Sequence, residues 1–171
     1  TDGPAPVHPD LRFAYKSVRD RPPMPDLPSA VLFACNMNSI RSPMAEGILK
    51  FLHGDSIYVD SVGVRKAEIN GFCVTVMDEI GIDMSQHKSK SFEDLEDSYF
   101  DLVIPLSPVA QHKAVEMTRV MACEVEFWNT FDPSIIESED RDTMLDAFRT
   151  VRDQLMERLK ARFPLTTVAD T

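Results

Sequence analysis

Cys35 and Arg41, six positions apart, are the residues of this chain whose types and spacing best suit chemistry. They lie in a short polar stretch that follows the apolar residues 30–34 and precedes a helix-forming segment in which Pro43 comes early. This pattern predicts a strand, a tight loop and a helix, because proline is well tolerated in the first helical turn. Such a loop directs backbone N–H groups into a concavity at the positive end of the helix. It is therefore a predicted site for a phosphate-like dianion.

The side chains of this loop suit phosphoryl transfer. The N–H dipoles and Arg41 would stabilise Cys35 as a thiolate nucleophile, and the planar guanidinium would bind two phosphoryl oxygens. Ser42 would donate its hydroxyl to the thiolate. The predicted substrate-binding cradle is formed by the backbone of Asn36, Met37, Asn38, Ser39 and Ile40. Taken alone, Cys35 would be better interpreted as a buried structural cysteine at the end of a strand, and it is the accompanying residues that favour the catalytic interpretation.

A second candidate group, Phe131-Asp132-Pro133, lies far along the chain. Asp132 is the predicted general acid, which would protonate the leaving oxygen and then activate water. An Asp-Pro pair also commonly opens a turn, and that alternative stays open. Arg65 follows another predicted strand, where it belongs either to a solvated turn or to the rim of the phosphate site as a binding residue. Because ligands bind at the carboxyl ends of parallel strands, Cys35, Arg65 and Asp132 are predicted to share one edge of a sheet.

Apolar runs alternate with helical patterns, which predicts an α/β fold with a parallel sheet covered on both faces. The long C-terminal helix has an apolar stripe at Leu145, Phe148, Val151, Leu155 and Leu159. The predicted strands are residues 30–35, 57–62, 102–106 and a segment within 121–127. The predicted helices are residues 43–53, 72–80, 107–117 and 139–163.

The run from Cys35 to Glu46 resembles the signature of low-molecular-weight protein tyrosine phosphatases and the related arsenate reductases. Phe131-Asp132-Pro133 resembles the general-acid loop of that family. The resemblance implies a four-stranded parallel sheet in the flavodoxin-like order 2-1-3-4, with the Cys-x5-Arg phosphate-binding loop after strand 1. It also implies that Asn38 is the family asparagine that holds the loop in shape.

Several residues depart from the family pattern. Met37 stands where glycine is usual, and Ile40 stands where many relatives carry a second cysteine, so no disulfide can form within the loop. Ser134 and Ile135 follow the Asp-Pro pair in place of aromatic residues, which makes recognition of a tyrosine ring doubtful. Ser39 is similar to the residue found in arsenate reductases and phosphoarginine phosphatases.

Composition excludes some classes of protein and divides the chain. The net charge of −10 disfavours binding to nucleic acid or to anionic membranes. Three cysteines form no disulfide framework, and a reactive thiolate needs a reducing compartment, which predicts a cytoplasmic protein. The N-terminus lacks a signal-peptide pattern, no apolar run could cross a bilayer, and neither a cofactor nor a metal site is indicated.

Residues 1–28 are rich in proline and predict an irregular N-terminal extension with one short helical turn near residues 11–18. This extension either covers the surface as a tail or docks a partner. Residues 29–165 are the predicted catalytic domain, and residues 166–171 are a C-terminal tail.

Three functions are compatible with these residues, and the oligomeric state stays open. The favoured one is a cysteine-dependent phosphatase acting through a phosphocysteine intermediate on a phosphorylated protein or small phosphomonoester. The phosphorylated residue would be phosphotyrosine or phosphoarginine. The second is arsenate reductase, which the resemblance implies would need two more relay cysteines after the third strand; Ser107 stands where one is expected, and Cys123 lies too near Trp128 to match the other. The third is a non-catalytic phosphate-binding module.

Overall fold

A computed structural model describes residues 27–96 and 99–165. Its four strands are β1 (Ala30–Cys35), β2 (Tyr58–Gly63), β3 (Leu102–Pro105) and β4 (Glu124–Val125). They form one parallel sheet in the order β2-β1-β3-β4, which confirms the predicted fold. The register aligns Cys35 with Gly63 and Ala34 with Pro105, so both neighbouring strands end level with the nucleophile candidate.

The α-helices of the described part of the chain are α1 (Arg41–His53), α2 (Gly71–Asp78), α3 (Pro108–Met117) and α4 (Arg141–Arg162). Short 3-10 turns span Phe92–Asp94 and Pro133–Ile135. None of the helices in these residues is long and apolar enough to cross a bilayer.

Alternate side chains of β1 enter different layers of the core. Val31, Phe33 and Cys35 belong to a large apolar cluster with residues of α1, α2 and α4. Leu32 and Ala34 belong to a smaller cluster beneath α3, where the fully buried side chains of that helix are Ala110 and Ala114. A strand buried on both faces needs apolar residues throughout, which is why its bounds could be predicted from the sequence.

The other elements differ from the predicted bounds by a few residues. Helix α1 begins at Arg41 rather than at residue 43, because the loop amides run directly into the helix. Strand β4 is only two residues long, within the predicted segment 121–127. The predicted stripe of α4 is buried as expected. The proposed extension, apart from Leu27 and Pro28, and the tail 166–171 lie outside the described residues.

Candidate active site

In the loop between β1 and α1, the backbone carbonyl oxygens and the backbone N–H groups differ in their hydrogen bonding. The carbonyl oxygens of residues 35–40 all accept hydrogen bonds from surrounding backbone or side-chain donors, for example from Arg65 N to Asn36 O at 2.8 Å. The N–H groups of residues 36–41, by contrast, donate to no other group among the described residues. Convergent N–H groups at a helix N-terminus attract an anion. The backbone of the predicted cradle therefore has the polarity that a phosphoryl group requires.

Gly63, at the end of β2, lets a neighbouring loop approach this cradle. A Cβ atom at Gly63 would lie 2.2 Å from Arg65 O and 2.6 Å from Asn38 N, and both are backbone atoms that cannot swing aside. Its lack of a side chain thus allows two loops to pack together, as the bond from Val64 N to Cys35 O at 3.0 Å shows.

Asn38 is the residue around which the loop turns. It is buried, and among the described residues it alone combines a non-glycine side chain with a positive φ, of 53°. Its Nδ2 donates to Ser42 Oγ and to Ser61 Oγ, both at 2.9 Å. Its Oδ1 accepts from Lys90 N at 2.9 Å and is 3.1 Å from His87 Nε2. Asparagine tolerates this backbone region better than most other residues do, and here both hydrogens and the oxygen of its side-chain amide have partners.

Cys35 and Ser42 are in direct contact. Cys35 Sγ lies 2.9 Å from Ser42 Oγ and 3.4 Å from Ser42 N. The Ser42 hydroxyl also lies within hydrogen-bond distance of Val62 O, at 3.2 Å, and it has a single proton for two acceptors. When Cys35 is a thiolate, that proton can turn towards sulfur, while the bond that Ser42 accepts from Asn38 is kept.

Arg41 and Asp132 lie close together in the fold, although 91 positions separate them in the sequence. The Arg41 guanidinium is buried, donates from one terminal nitrogen to Thr130 O at 3.0 Å, and lies 3.7 Å from Asp132 Oδ2 through the other. Asp132 Oδ1 accepts from Ser134 N at 3.0 Å and from Ser134 Oγ at 2.7 Å. Asp132 therefore caps the 3-10 turn through one oxygen and faces the phosphate loop with the other, so the turn-opening role and a catalytic role are compatible.

A polar network that sequence reasoning missed lies behind the loop. Ser61 Oγ donates to Glu46 Oε1 at 2.5 Å, and His87 Nδ1 lies 3.8 Å from the same oxygen. Burial lowers the pKa of His87, partly opposed by the negative charge of Glu46. His87 lies in a connecting segment distant in sequence, yet its side chain is only 9% exposed and contacts Asn38 and Glu46. The sequence offers one signal for this network: Asp60 and Ser61 are adjacent polar residues near the end of an otherwise apolar strand.

Ser107, at the end of β3, joins the second residue of the loop to α3. Its Oγ donates to Asn36 Oδ1 at 2.6 Å and accepts from Ala110 N at 3.2 Å, as the N-cap of the helix. The residue that stands where a relay thiol was expected is thus a buried hydrogen-bonding group.

The remaining predicted binding residues lie at the rim. Met37 is partly exposed at 37%, Ser39 is half-buried, and Ile40 is buried beneath the loop. Arg65 packs its backbone against the loop, but its guanidinium is exposed and contacts no described group. The structure thus brings together Cys35, Arg41, Ser42 and Asp132, and leaves the Arg65 side chain apart from them.

The two other cysteines form neither a disulfide nor a hydrogen bond with Cys35 among the described residues. Cys73 is fully buried and its Sγ lies 3.7 Å from Ile40 O; burial, with a further contribution from Cys35, raises the pKa of its thiol to about 12. Cys123 precedes β4, at the opposite edge of the sheet from Cys35, and burial raises the pKa of its thiol. The length of β1, about 16 Å at ~3.3 Å per residue, separates the two edges.

Comparisons with known proteins agree with this geometry. The family model described as low molecular weight phosphotyrosine protein phosphatase matches residues 30–168. The glutaredoxin arsenate reductase of Synechocystis sp. is 34% identical over 76% of this chain and 92% of that protein. The arsenate reductase of Bacillus subtilis is also 34% identical, over 76% of this chain and 91% of its own length.

Solved structures give the same result. An arsenate reductase in the phosphate binding state has 31% identity and a TM-score of 0.64, and covers 78% of this chain and 95% of its own. The tyrosine phosphatase amsI of Erwinia amylovora has 17% identity and a TM-score of 0.63, over 78% of this chain and 90% of its own, which shows a shared fold. The resemblance inferred from the loop is confirmed: the chain belongs to the low molecular weight phosphotyrosine protein phosphatase family.

Proposed function

We propose that this protein is a cysteine-dependent phosphatase that hydrolyses phosphomonoesters through a phosphocysteine intermediate. The observation that carries the proposal is the convergence of Cys35, the free loop N–H groups, Arg41 and Asp132 on one edge of the sheet. A thiolate, a cationic and N–H cradle, and an acid for the leaving group are what phosphoryl transfer to sulfur requires.

The two steps follow from these positions. Cys35 Sγ attacks phosphorus while the bond to the leaving oxygen breaks, and Asp132 gives its proton to that oxygen. A water molecule then attacks phosphorus, Asp132 takes its proton, and the sulfur–phosphorus bond breaks to release phosphate and restore the thiolate. Arg41 and the loop amides hold the three equatorial oxygens throughout, and Ser42 stabilises the thiolate as it departs.

The substrate class that we propose is a phosphorylated protein or a small phosphomonoester. Around Asp132, Phe131 is 49% exposed and Ile135 is 63% exposed, so this segment presents one aromatic and one aliphatic side chain. Such a surface suits an elongated side chain such as phosphoarginine as well as a phosphotyrosine ring. A reactive thiolate would be maintained in a reducing compartment such as the cytoplasm.

Arsenate reduction is the second candidate, since the names of several relatives that are 34% identical specify it. Arsenate has the shape and charge of phosphate and would fit the same cradle. Its reduction to arsenite takes two electrons from thiols, and a relay thiol must reach the nucleophile as a thiolate. Cys73 is fully buried, which also raises the pKa of its thiol to about 12, and Cys123 lies at the far edge of the sheet, so we expect reduction to depend on an external thiol.

One set of assays separates these functions. Hydrolysis of a small aryl phosphate is measured without metal and with reductant for wild type, Cys35→Ser and Asp132→Ala, and arsenite formation from arsenate is measured with a dithiol. Turnover of the ester that is abolished in Cys35→Ser and strongly slowed in Asp132→Ala supports the phosphatase. Arsenite formation without ester hydrolysis supports the reductase. An inert protein that still binds phosphate supports a non-catalytic module.

A further inference from the structure

Trp128 is the single tryptophan of the chain and lies between β4 and Asp132. Its ring is buried, with its centroid 6.5 Å from that of Phe33 in β1. The Arg158 guanidinium of α4 also lies 4.7 Å from the ring centroid, at a distance typical of a cation–π contact. The indole is thus fixed between the core of the sheet and the C-terminal half of α4.

The indole N–H is also fixed by an ion pair. Trp128 Nε1 donates to Glu126 Oε2 at 2.8 Å, and Arg162 Nε of α4 lies 3.0 and 3.2 Å from the two oxygens of Glu126. An exposed ion pair of this kind adds little to stability. Its geometry nevertheless favours one orientation of the indole, because Arg162 holds in place the carboxylate that accepts the N–H. We call Glu126, Trp128, Arg158 and Arg162 the α4 clamp.

From the clamp, a short chain of bonds leads to the candidate catalytic groups. Thr130 Oγ1 donates to Trp128 O at 2.8 Å, and Thr130 N donates to Leu106 O at 3.0 Å. Thr130 O in turn accepts the bond from Arg41 at 3.0 Å, and Asp132 follows two residues later.

The geometry points to the α4 clamp as a set of positioning residues that place the Thr130 carbonyl, and through it Arg41, together with the carboxyl group of Asp132. The part concerning Asp132 rests on the proposed phosphatase function. The placement of Arg41 affects only the binding of an oxyanion. Small displacements of such groups reduce rates because reacting groups must meet within a narrow range of distances.

A matched pair of variants on α4 tests this role. Arg162→Gln breaks the pair with Glu126. Arg149, on the same helix as Arg162, pairs with Glu79 at the end of α2, and Arg149→Gln breaks that pair. Arg162 and Arg149 are 38% and 33% exposed, so the two changes are alike in burial and in charge. Arg149 contacts neither the Trp128 segment nor the phosphate loop in the described residues.

The first readout is binding of inorganic phosphate, measured by titration calorimetry, together with the fluorescence of Trp128. We expect Arg162→Gln to weaken phosphate binding about three- to tenfold and to shift the tryptophan emission, since about 0.6–1.4 kcal/mol of oriented contact is lost. Arg149→Gln should match wild type in both its phosphate affinity and its tryptophan emission. Equal phosphate affinity in the two variants, whether unchanged or equally reduced, would overturn the placement of Arg41 by the clamp.

The second readout is the dependence of kcat/KM on the leaving group, with Trp128→Phe as a second variant that keeps an aromatic ring but lacks the N–H donor. Esters with poor leaving groups need the proton of Asp132, and dinitrophenyl phosphate does not. We expect Arg162→Gln and Trp128→Phe to lose more activity on phenyl phosphate than on dinitrophenyl phosphate, by about three- to tenfold. A uniform loss on both esters would overturn the placement of Asp132.

Failure of the proposed function has a different signature. A wild type that hydrolyses neither ester contradicts the phosphatase and, with it, the placement of a general acid. The comparison of phosphate affinity between Arg162→Gln and Arg149→Gln then decides the placement of Arg41 by itself.

Discussion

The Asp132 carboxylate lies 3.7 Å from the Arg41 guanidinium, close enough for the two groups to attract each other in the protein without substrate. A phosphoryl dianion in the cradle would bind to the same guanidinium. The carboxylate and the substrate therefore compete for Arg41, and a proton on Asp132 removes the competition while preparing it to act as an acid.

We expect Asp132→Asn to separate binding from turnover. The amide cannot give a proton, so hydrolysis of phenyl phosphate should fall about 10²- to 10⁴-fold. Inorganic phosphate should bind at least as tightly as to wild type, because the competing negative charge is gone. Calorimetric titration and steady-state kinetics measure the two effects. A loss of phosphate affinity parallel to the loss of activity would mean that Asp132 helps to form the cradle instead.

The positive φ of Asn38 leads to a prediction about the stability of two variants. Asn38→Gly keeps the positive φ but removes the amide bonds to Ser42, Ser61 and Lys90, whereas Asn38→Ala also adds a left-handed strain of about 1–2 kcal/mol. Urea unfolding should therefore rank wild type as most stable, the glycine variant next and the alanine variant last. Equal stability of the two variants would show that the loop does not depend on this φ.

Gly63→Ala should damage the loop through a steric clash alone. The new Cβ would lie within 3 Å of three backbone atoms, of Arg65, Asn38 and Met37, and overpacking of this kind costs about 1–3 kcal/mol. Gly71→Ala is the control, because a Cβ there would meet nothing within 4 Å. We expect reduced stability and weaker phosphate binding in the first variant and neither in the second. A Gly63→Ala protein as stable and active as wild type would contradict the close approach.

The pair between Glu79 and Arg149 predicts a dependence of stability on pH. Hydrogen bonds from Arg149, and secondarily from Arg152, lower the pKa of Glu79 from 4.5 to about 2. The stability contributed by the ionised Glu79 is therefore fully present above pH 4.5, its ordinary pKa. That stability is lost as the pH falls towards 2, its pKa in the folded protein. The two side chains are about one-third exposed, so screening by solvent and salt keeps the effect small.

Denaturant unfolding of wild type and Arg149→Gln at several pH values measures this effect. The difference in stability between the two proteins should be greatest near pH 6 and should shrink by pH 3. A difference that is independent of pH in this range would mean that Glu79 ionises normally in the folded protein.

The sequence was most informative where neighbouring residues act together. Strand β1 is buried on both faces, so its apolar run defines its bounds, and the loop from Cys35 to Ser42 is continuous in the chain. The sheet edge shared by Cys35 and Asp132 could also be predicted, since the parallel strand order brings loop ends together.

Contacts between distant segments could not be predicted in the same way. His87 and Ser107 are single polar residues in connecting segments, and their types do not specify which partner they reach. Only the packing of the Lys90 backbone against Asn38 and of β3 beside β1 brings them to the loop. Thr130 binds Arg41 through its backbone carbonyl, which any residue would supply, so the type of this residue does not predict that contact.

The small core layer beneath α3 has a consequence for motion. Helix α3 is held chiefly by Ala110 and Ala114, and alanine side chains bury little apolar area compared with the residues beneath α1 and α4. Native-state hydrogen exchange should therefore find that α3 opens at a lower free energy than the strands of the sheet do. Each such opening would release Ser107 from Asn36, so the second residue of the phosphate loop would gain freedom on the timescale of a local fluctuation, while Cys35 and Arg41 stay fixed.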